Sequence, residues 1–280
     1  MDARDVVLDS QAAPRPVAEL RRKSLRSIGA PLWGQDTPVA GAWLCQCDEL
    51  RGICSMGDVR FASNCEEAVS MRLTSSGFRE GEAIPGEFCF AVVDPVNHVS
   101  LSKNRNPQLA WSEVPEGTKS FALICHDPDV PSRGDDVNKE GREVPASLPR
   151  VNFYHWLLWD IPVSVREIDA GSQSDGVIPR GNKGPDAPGG MRHGINSYTG
   201  WFAGDPDMKG DYFGYDGPCP PWNDSIVHHY IFTVSALDVD RLAVEGELAA
   251  ESVQAALKGH LLAEAKLMGT YTLNPRLMGE

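Results

Sequence analysis

KSFALICHDPDVP, residues 119–131, is the stretch whose reading decides the fold. Phe121 to Cys125 form an apolar run with aromatic and β-branched members, bounded by Asp127-Pro128. The run is too short for a typical helix and reads as a buried strand. Pro128 and Pro131 lack backbone donors and cannot extend a regular ladder, so a turn is expected at Asp127. Val130-Pro131 is then a candidate cis peptide, the kind of bond that holds a tight turn. Turn formation alone accounts for the motif. The functional reading adds that the turn fixes Asp127 and Asp129 at the end of a rigid strand.

The same signal repeats on either side. QLAWS (108–112) and MRLTSSGF, opening at Met71, are strand candidates before it; FYHWLLWDI (153–161), stopped by Pro162, and HHYIFTVSAL (228–237) follow. TYTL (270–273) is a last short strand. Between the last two lies AAESVQAALKGHLLAEAKLM (249–268). Val253, Leu257, Leu261 and Ala265 recur there every four residues, which predicts an amphipathic helix ending at Gly269. A lone helix among strands is expected to cover a sheet, so the fold class is mainly β, a sandwich with one C-terminal helix. Two long polar connections, 132–150 and 171–217, interrupt the strands; loops of that length are often functional.

Within these strands, His155 sits in an apolar run and is expected to share a face with Phe153 and Leu157. A single strand histidine is more often a satisfied core residue than a ligand. His228 and Tyr230 are two apart and point to one face, leaving His229 on the other. GYDGPCPP (214–221) ends seven residues before His228, so a stiff Gly/Pro wall is expected to fold over that side chain.

The chain carries a net charge of −13, which disfavours nucleic acid and broad adhesion to anionic membranes. Residues 1–60 are balanced, so the excess lies in 61–280. Residues 1–70 hold a basic cluster (Arg21, Arg22, Lys23, Arg26) and no sustained periodicity; they read as a leader outside the core, with Met71 a candidate functional start. Four of the seven cysteines, Cys45, Cys47, Cys54 and Cys65, cluster there without the paired knuckles of a zinc site. No secretory signal or bilayer-length apolar run is evident, and a cytoplasmic location is expected. Residues 205–216 are a poor calcium loop, with Lys209 at a ligand position. Asn223-Asp224-Ser225 matches a glycosylation acceptor in a chain with no route to secretion.

DPDVP, the His155-Trp156 strand, GYDGPCPP and HHYIF occur in an order that resembles the phosphatidylethanolamine-binding protein family, and PQLAWSEVPEGTKSFALICHDPDVP (107–131) most resembles its bacterial YbhB/YbcL-type, Raf-kinase-inhibitor-like branch. The resemblance runs from about Met71 to Leu273, so a family domain over 71–274 and a tail over 275–280 are expected. It implies two antiparallel sheets and a pocket for phosphate-like anions, including phospholipid head groups. By motif, that pocket would be lined by Asp127, Asp129, Pro131, His155, Cys219, Pro220, His228 and Tyr230. No cofactor is implied; a regulatory protein partner is a further expectation, since some relatives inhibit kinases. His229 replaces the basic segment that often follows the first family histidine, and Cys219 stands where many relatives have a small residue.

Two carboxylates beside an anion repel it unless histidines offset them. A carboxylate on one imidazole nitrogen fixes the tautomer and leaves the other N–H for a ligand. It also raises the histidine pKa, so anion binding is expected to take up protons. The competing reading is a hydrolase that holds a metal on Asp127, Asp129, His155 and His228 or attacks through Ser132 or Ser225. No nucleophile elbow supports the serine version.

Overall fold

A computed structural model describes residues 70–278. Most of the expected leader, its cysteines and the last two residues of the tail lie outside them. Ten strands build the structure: β1 (Arg72–Thr74), β2 (Ala91–Asp94), β3 (His98–Leu101), β4 (Leu109–Ser112), β5 (Ser120–Pro131), β6 (Arg150–Pro162), β7 (Glu167–Ile168), β8 (Arg192–His193), β9 (His228–Leu237) and β10 (Leu261–Tyr271). The helices are short: α1 is one turn (Tyr198–Trp201) and α2 spans Ala250–Leu257.

The main sheet has five strands in the order β10-β9-β5-β6-β8. All its pairings are antiparallel. Facing it are a three-stranded sheet, β1-β4-β7, and the β2-β3 hairpin, so the smaller layer is split rather than continuous. Phe121, Leu123, Trp156, Leu158, Phe232 and Val234 bury one face of the main sheet in the larger core. The other face buries Ala122, Ile124, Leu157 and Trp159 beneath Ala250 and Val253 of α2. That near-continuous apolar reading of β5 follows from burial on both faces, as strands covered twice lose their alternation.

The expected long helix is halved. α2 ends at Leu257, Gly259 takes a positive φ of 88°, and Leu261 begins a strand. A spacing of four is a multiple of two as well as near a helical turn. Leu267, Gly269 and Tyr271 follow Ala265 inward at every second residue, and β10 pairs with β9 from Leu261↔Leu237 to Tyr271↔His228. Pairing along that whole edge outweighs the helix propensity of Ala, Glu, Lys and Leu, which amounts to only tenths of a kcal/mol per residue. TYTL is thus the end of a long strand.

The expected turn at Asp127 is likewise a strand. β5 runs on through Pro131, with a bulge between Asp127↔Phe153 and Val130↔Val151. Beyond His126 its pairing to β9 has ended, so the prolines fall where one ladder is already gone. Because no tight turn forms, Val130-Pro131 is not cis; among the described residues the cis bond lies at Gly184-Pro185.

Candidate functional site

A cavity of about 50 Å³ opens beside the distal end of β5. That is room for a few waters or one small acid group, since one water needs roughly 10–15 Å³ measured this way. Six of the eight predicted residues line it: Asp127, Pro131, His155, Cys219, Pro220 and Tyr230. Asp129 and His228 do not, and sequence reasoning overlooked Arg133, Phe90, Tyr198 and Trp201, which do.

His155 reaches the cavity because β6 is irregular. Cys125 pairs with Trp156 but His126 pairs with Tyr154, so His155 is skipped. Such a bulge re-aims side chains. Phe153, His155 and Trp156 consequently turn to the inner side, while Leu157 packs under α2. The expected common face of His155 and Leu157 is therefore broken at the residue that matters.

His155 Nδ1–H donates to the carbonyl of Asp216 at 2.7 Å, and Asp216 N–H donates back to the His155 carbonyl at 3.0 Å. The GYDGPCPP wall thus lies against His155, not His228. Gly217 lets it close: a Cβ there would collide with the Phe88 carbonyl. Phe90 N–H in turn donates to Pro218 O, and Tyr198 Oη–H to Gly217 O. With Nδ1 occupied as donor, the neutral ring keeps its lone pair on Nε2. Burial pushes the His155 pKa down to about 4, against the opposing charge of Asp127. The expectation of a charged His155 presenting an N–H is overturned, because no carboxylate bonds this ring.

His228 is the opposite case. It is fully buried, and both nitrogens are taken: Nδ1–H donates to Asp127 Oδ2 at 2.7 Å and Nε2–H to Asp224 Oδ2 at 3.1 Å. Burial works against the charged ring, but the charges and hydrogen bonds of Asp127 and Asp224 prevail and raise its pKa to about 9. Asp224 is also gripped by Arg150, Nη1 to Oδ2 at 2.6 Å and Nη2 to Oδ1 at 3.0 Å. Burial would raise the Asp224 pKa, and these partners lower it instead. Asp129 faces the other side, where its Oδ2 accepts from the backbone N–H and Nδ1 of His229. His228 and Asp129 therefore leave the predicted lining: one lies behind Asp127, the other across the sheet.

Two further groups stand out. Tyr230 lines the cavity, and its hydroxyl is buried with no hydrogen-bond partner among the described residues. The Asp216 carboxylate, behind His155, accepts only neutral amides, Asn104 Nδ2 and Asn196 Nδ2, both at 2.8 Å. Burial raises its pKa to about 7, against those two hydrogen bonds. Loop 132–150 supplies Arg133 and Val137 to the cavity, and is anchored by Asn223. Its Nδ2 lies within hydrogen-bond distance of the carbonyls of Asp136, Lys139 and Arg142.

The four residues named as a metal set are not brought together on one cavity, and one of the two candidate serines is engaged elsewhere. His228 has no nitrogen left for a metal, Asp129 faces away, and Ser225 Oγ donates to Val144 O. Among the described residues no group of three His, Cys, Asp or Glu side chains could hold a metal ion. In the faint calcium loop the chain turns, with Asp205 Oδ1 accepting from the backbone N–H groups of Asp207 and Met208.

The fold and the motif order agree with the comparisons to known proteins. Residues 74–272 match the phosphatidylethanolamine-binding protein family. The chain belongs to that family. A UPF0098 protein of Aquifex aeolicus is 30% identical over 201 residues, 72% of this chain and 88% of its own length. The UPF0098 protein YbhB of Escherichia coli is 28% identical over 203 residues, 72% of this chain and 100% of its own. The crystal structure of E. coli YbcL, described as a new member of the mammalian PEBP family, aligns with a TM-score of 0.52 at 27% identity. It covers 72% of this chain and 98% of that one. The PEBP family assignment and its YbhB/YbcL-type branch agree with the motifs read from the sequence. No helix among the described residues is long and apolar enough to cross a membrane.

Proposed function

We propose that this PEBP family member is a binding protein whose cavity holds a small phosphate-type anion, free or as the head of a larger molecule. One observation carries the reading: Tyr230, whose buried hydroxyl has no partner among the described residues, lines a cavity that Arg133 also lines. An unpaired buried hydroxyl costs roughly 1–3 kcal/mol, which a bound acceptor would recover. The guanidinium of Arg133 suits an oxyanion. Phe90, Phe153, Tyr198 and Trp201 make the remaining collar apolar, as ligand sites usually are. A regulatory protein partner is compatible with the long loops, and a pull-down with and without loop 171–217 tests it.

Isothermal calorimetry with methyl phosphate tests the proposal. Tyr230→Phe and Arg133→Ala are each expected to weaken binding about tenfold, the value of one hydrogen bond to a charged group. Saturable binding that ignores both substitutions, or no binding by the folded protein at millimolar phosphate ester, would overturn it.

A further inference from the structure

We infer that the cavity selects an acid that still carries a proton, the monoanion of a phosphomonoester, over phosphodiesters and sulfate esters of the same charge. The inference rests on the anion-binding reading above and adds which anion.

The polarity of the cavity floor carries it. His155 has committed its proton to the Asp216 carbonyl, so the nitrogen left over is an acceptor. Asp127 is a carboxylate; Oδ1 accepts from Asp129 N–H at 2.7 Å and Oδ2 from His228 at 2.7 Å, and what it offers beyond these is further lone pairs. Tyr230 contributes one O–H. The lining residues Asp127, His155 and Tyr230 therefore bring two acceptors and one donor to this part of the cavity, and a ligand oxygen without hydrogen would meet more lone pairs than donors.

Charge points the same way. Behind the floor run Arg150, Asp224, His228 and Asp127, two cations alternating with two carboxylates, joined at 2.6 to 3.1 Å. Their formal charges cancel. The remaining neighbours of His155 do not reverse this balance: His126, on β5, is itself held down by burial, and Tyr198, Tyr230 and Cys219 are pushed up by it. Asp216 adds negative charge once ionised. Arg133 supplies positive charge only at the exposed rim, where it also meets Asp135. A dianion would enter without a matching buried cation, whereas a monoanion bearing one O–H can donate to His155 Nε2 or Asp127 and accept from Tyr230.

Three small monoanions separate the outcomes at pH 5.5: methyl phosphate, dimethyl phosphate and methyl sulfate. They are close in size and close in charge there, since with a second pKa of about 6 a phosphomonoester is roughly three-quarters monoanion at that pH. Only the first has a proton to give. Methyl phosphate is expected to bind at least about tenfold tighter than either of the others, and to weaken as the pH rises from 5.5 to 7.5. Equal affinity for all three would overturn the selection while leaving anion binding intact. No binding of any of them would overturn both. Because the comparison is made on the wild-type chain, it does not depend on a variant folding. His155→Gln, whose amide can present either polarity, is expected to narrow the preference.

Discussion

His155 and His228 stand on β6 and β9, the two neighbours of β5, and both are turned toward Asp127, yet they are opposite in state. His228 meets a carboxylate on each nitrogen and is a buried cation. His155 meets a carbonyl on one nitrogen and an aromatic enclosure around its ring, with Tyr198 and Tyr230 at edge-on angles, and is neutral. The residue type does not set the role. Two carboxylates make an imidazole into structure; one carbonyl leaves it half-committed and available to a ligand.

The contrast can be broken most forcefully at His228. His228→Ala strands Asp127 and Asp224 beside a single remaining cation, Arg150, and is expected to cost roughly 3–5 kcal/mol in urea unfolding. Its folded pKa, raised from 6.5 to about 9, means that the stabilisation is fully present below about pH 6.5 and is lost as the pH rises through about 9. The penalty of the substitution should therefore shrink across that interval. A penalty independent of pH would show that His228 is not charged.

Asp216 tests the support of the other ring. Its folded pKa is raised from 3.8 to about 7, so the wild type loses stability as the pH climbs between those values. Asp216→Asn removes that slope. Keeping one proton bound in the fold that the unfolded chain has released costs about 1.4 kcal/mol for each pH unit. Relative to wild type, the variant should therefore gain about 2 kcal/mol between pH 5 and pH 7. A constant offset arises because an Asn side chain has one acceptor for the two amides of Asn104 and Asn196. Parallel stability curves would refute a buried, titrating carboxylate.

The smallest effect is expected one residue from the largest. His229, on the outer face of β9, pairs with Asp129 at 2.8 Å but is nearly half exposed. Half-exposed pairs contribute little, and His229→Ala should cost under about 1 kcal/mol with phosphate-ester binding unchanged. Ring-nitrogen NMR at neutral pH completes the comparison: His228 is expected as a doubly protonated ring and His155 as the neutral Nδ1–H tautomer.

The legible part of the molecule was what local pattern records. Alternation in HHYIFTVSAL put His228 and Tyr230 on one face, and the apolar runs of β5 and β6 marked the sheet centre. What escaped was set by partners far away in sequence. The bulge at His155 is a property of its pairing with β5, not of FYHWLLWDI. The Asp216 carboxylate is held by Asn104, 112 residues earlier, which no local motif announces. The helix read across Lys258-Gly259-His260 failed because a four-residue spacing suits both periods; Gly259 in its middle was the available warning. Arg133 lies two residues beyond Pro131, just outside the motif from which the lining was read, where histidines were expected to supply the positive charge.

Asn223 has a consequence for covalent modification. The Asn223-Asp224-Ser225 tripeptide satisfies the acceptor rule on paper, but the amide nitrogen that would carry a sugar is enclosed by three main-chain oxygens of the segment bearing Arg133. A glycan attached before folding would hold that segment open and deform the cavity mouth; after folding, a transferase finds no free amide. The native conformation thus closes this sequon to any modification that follows folding.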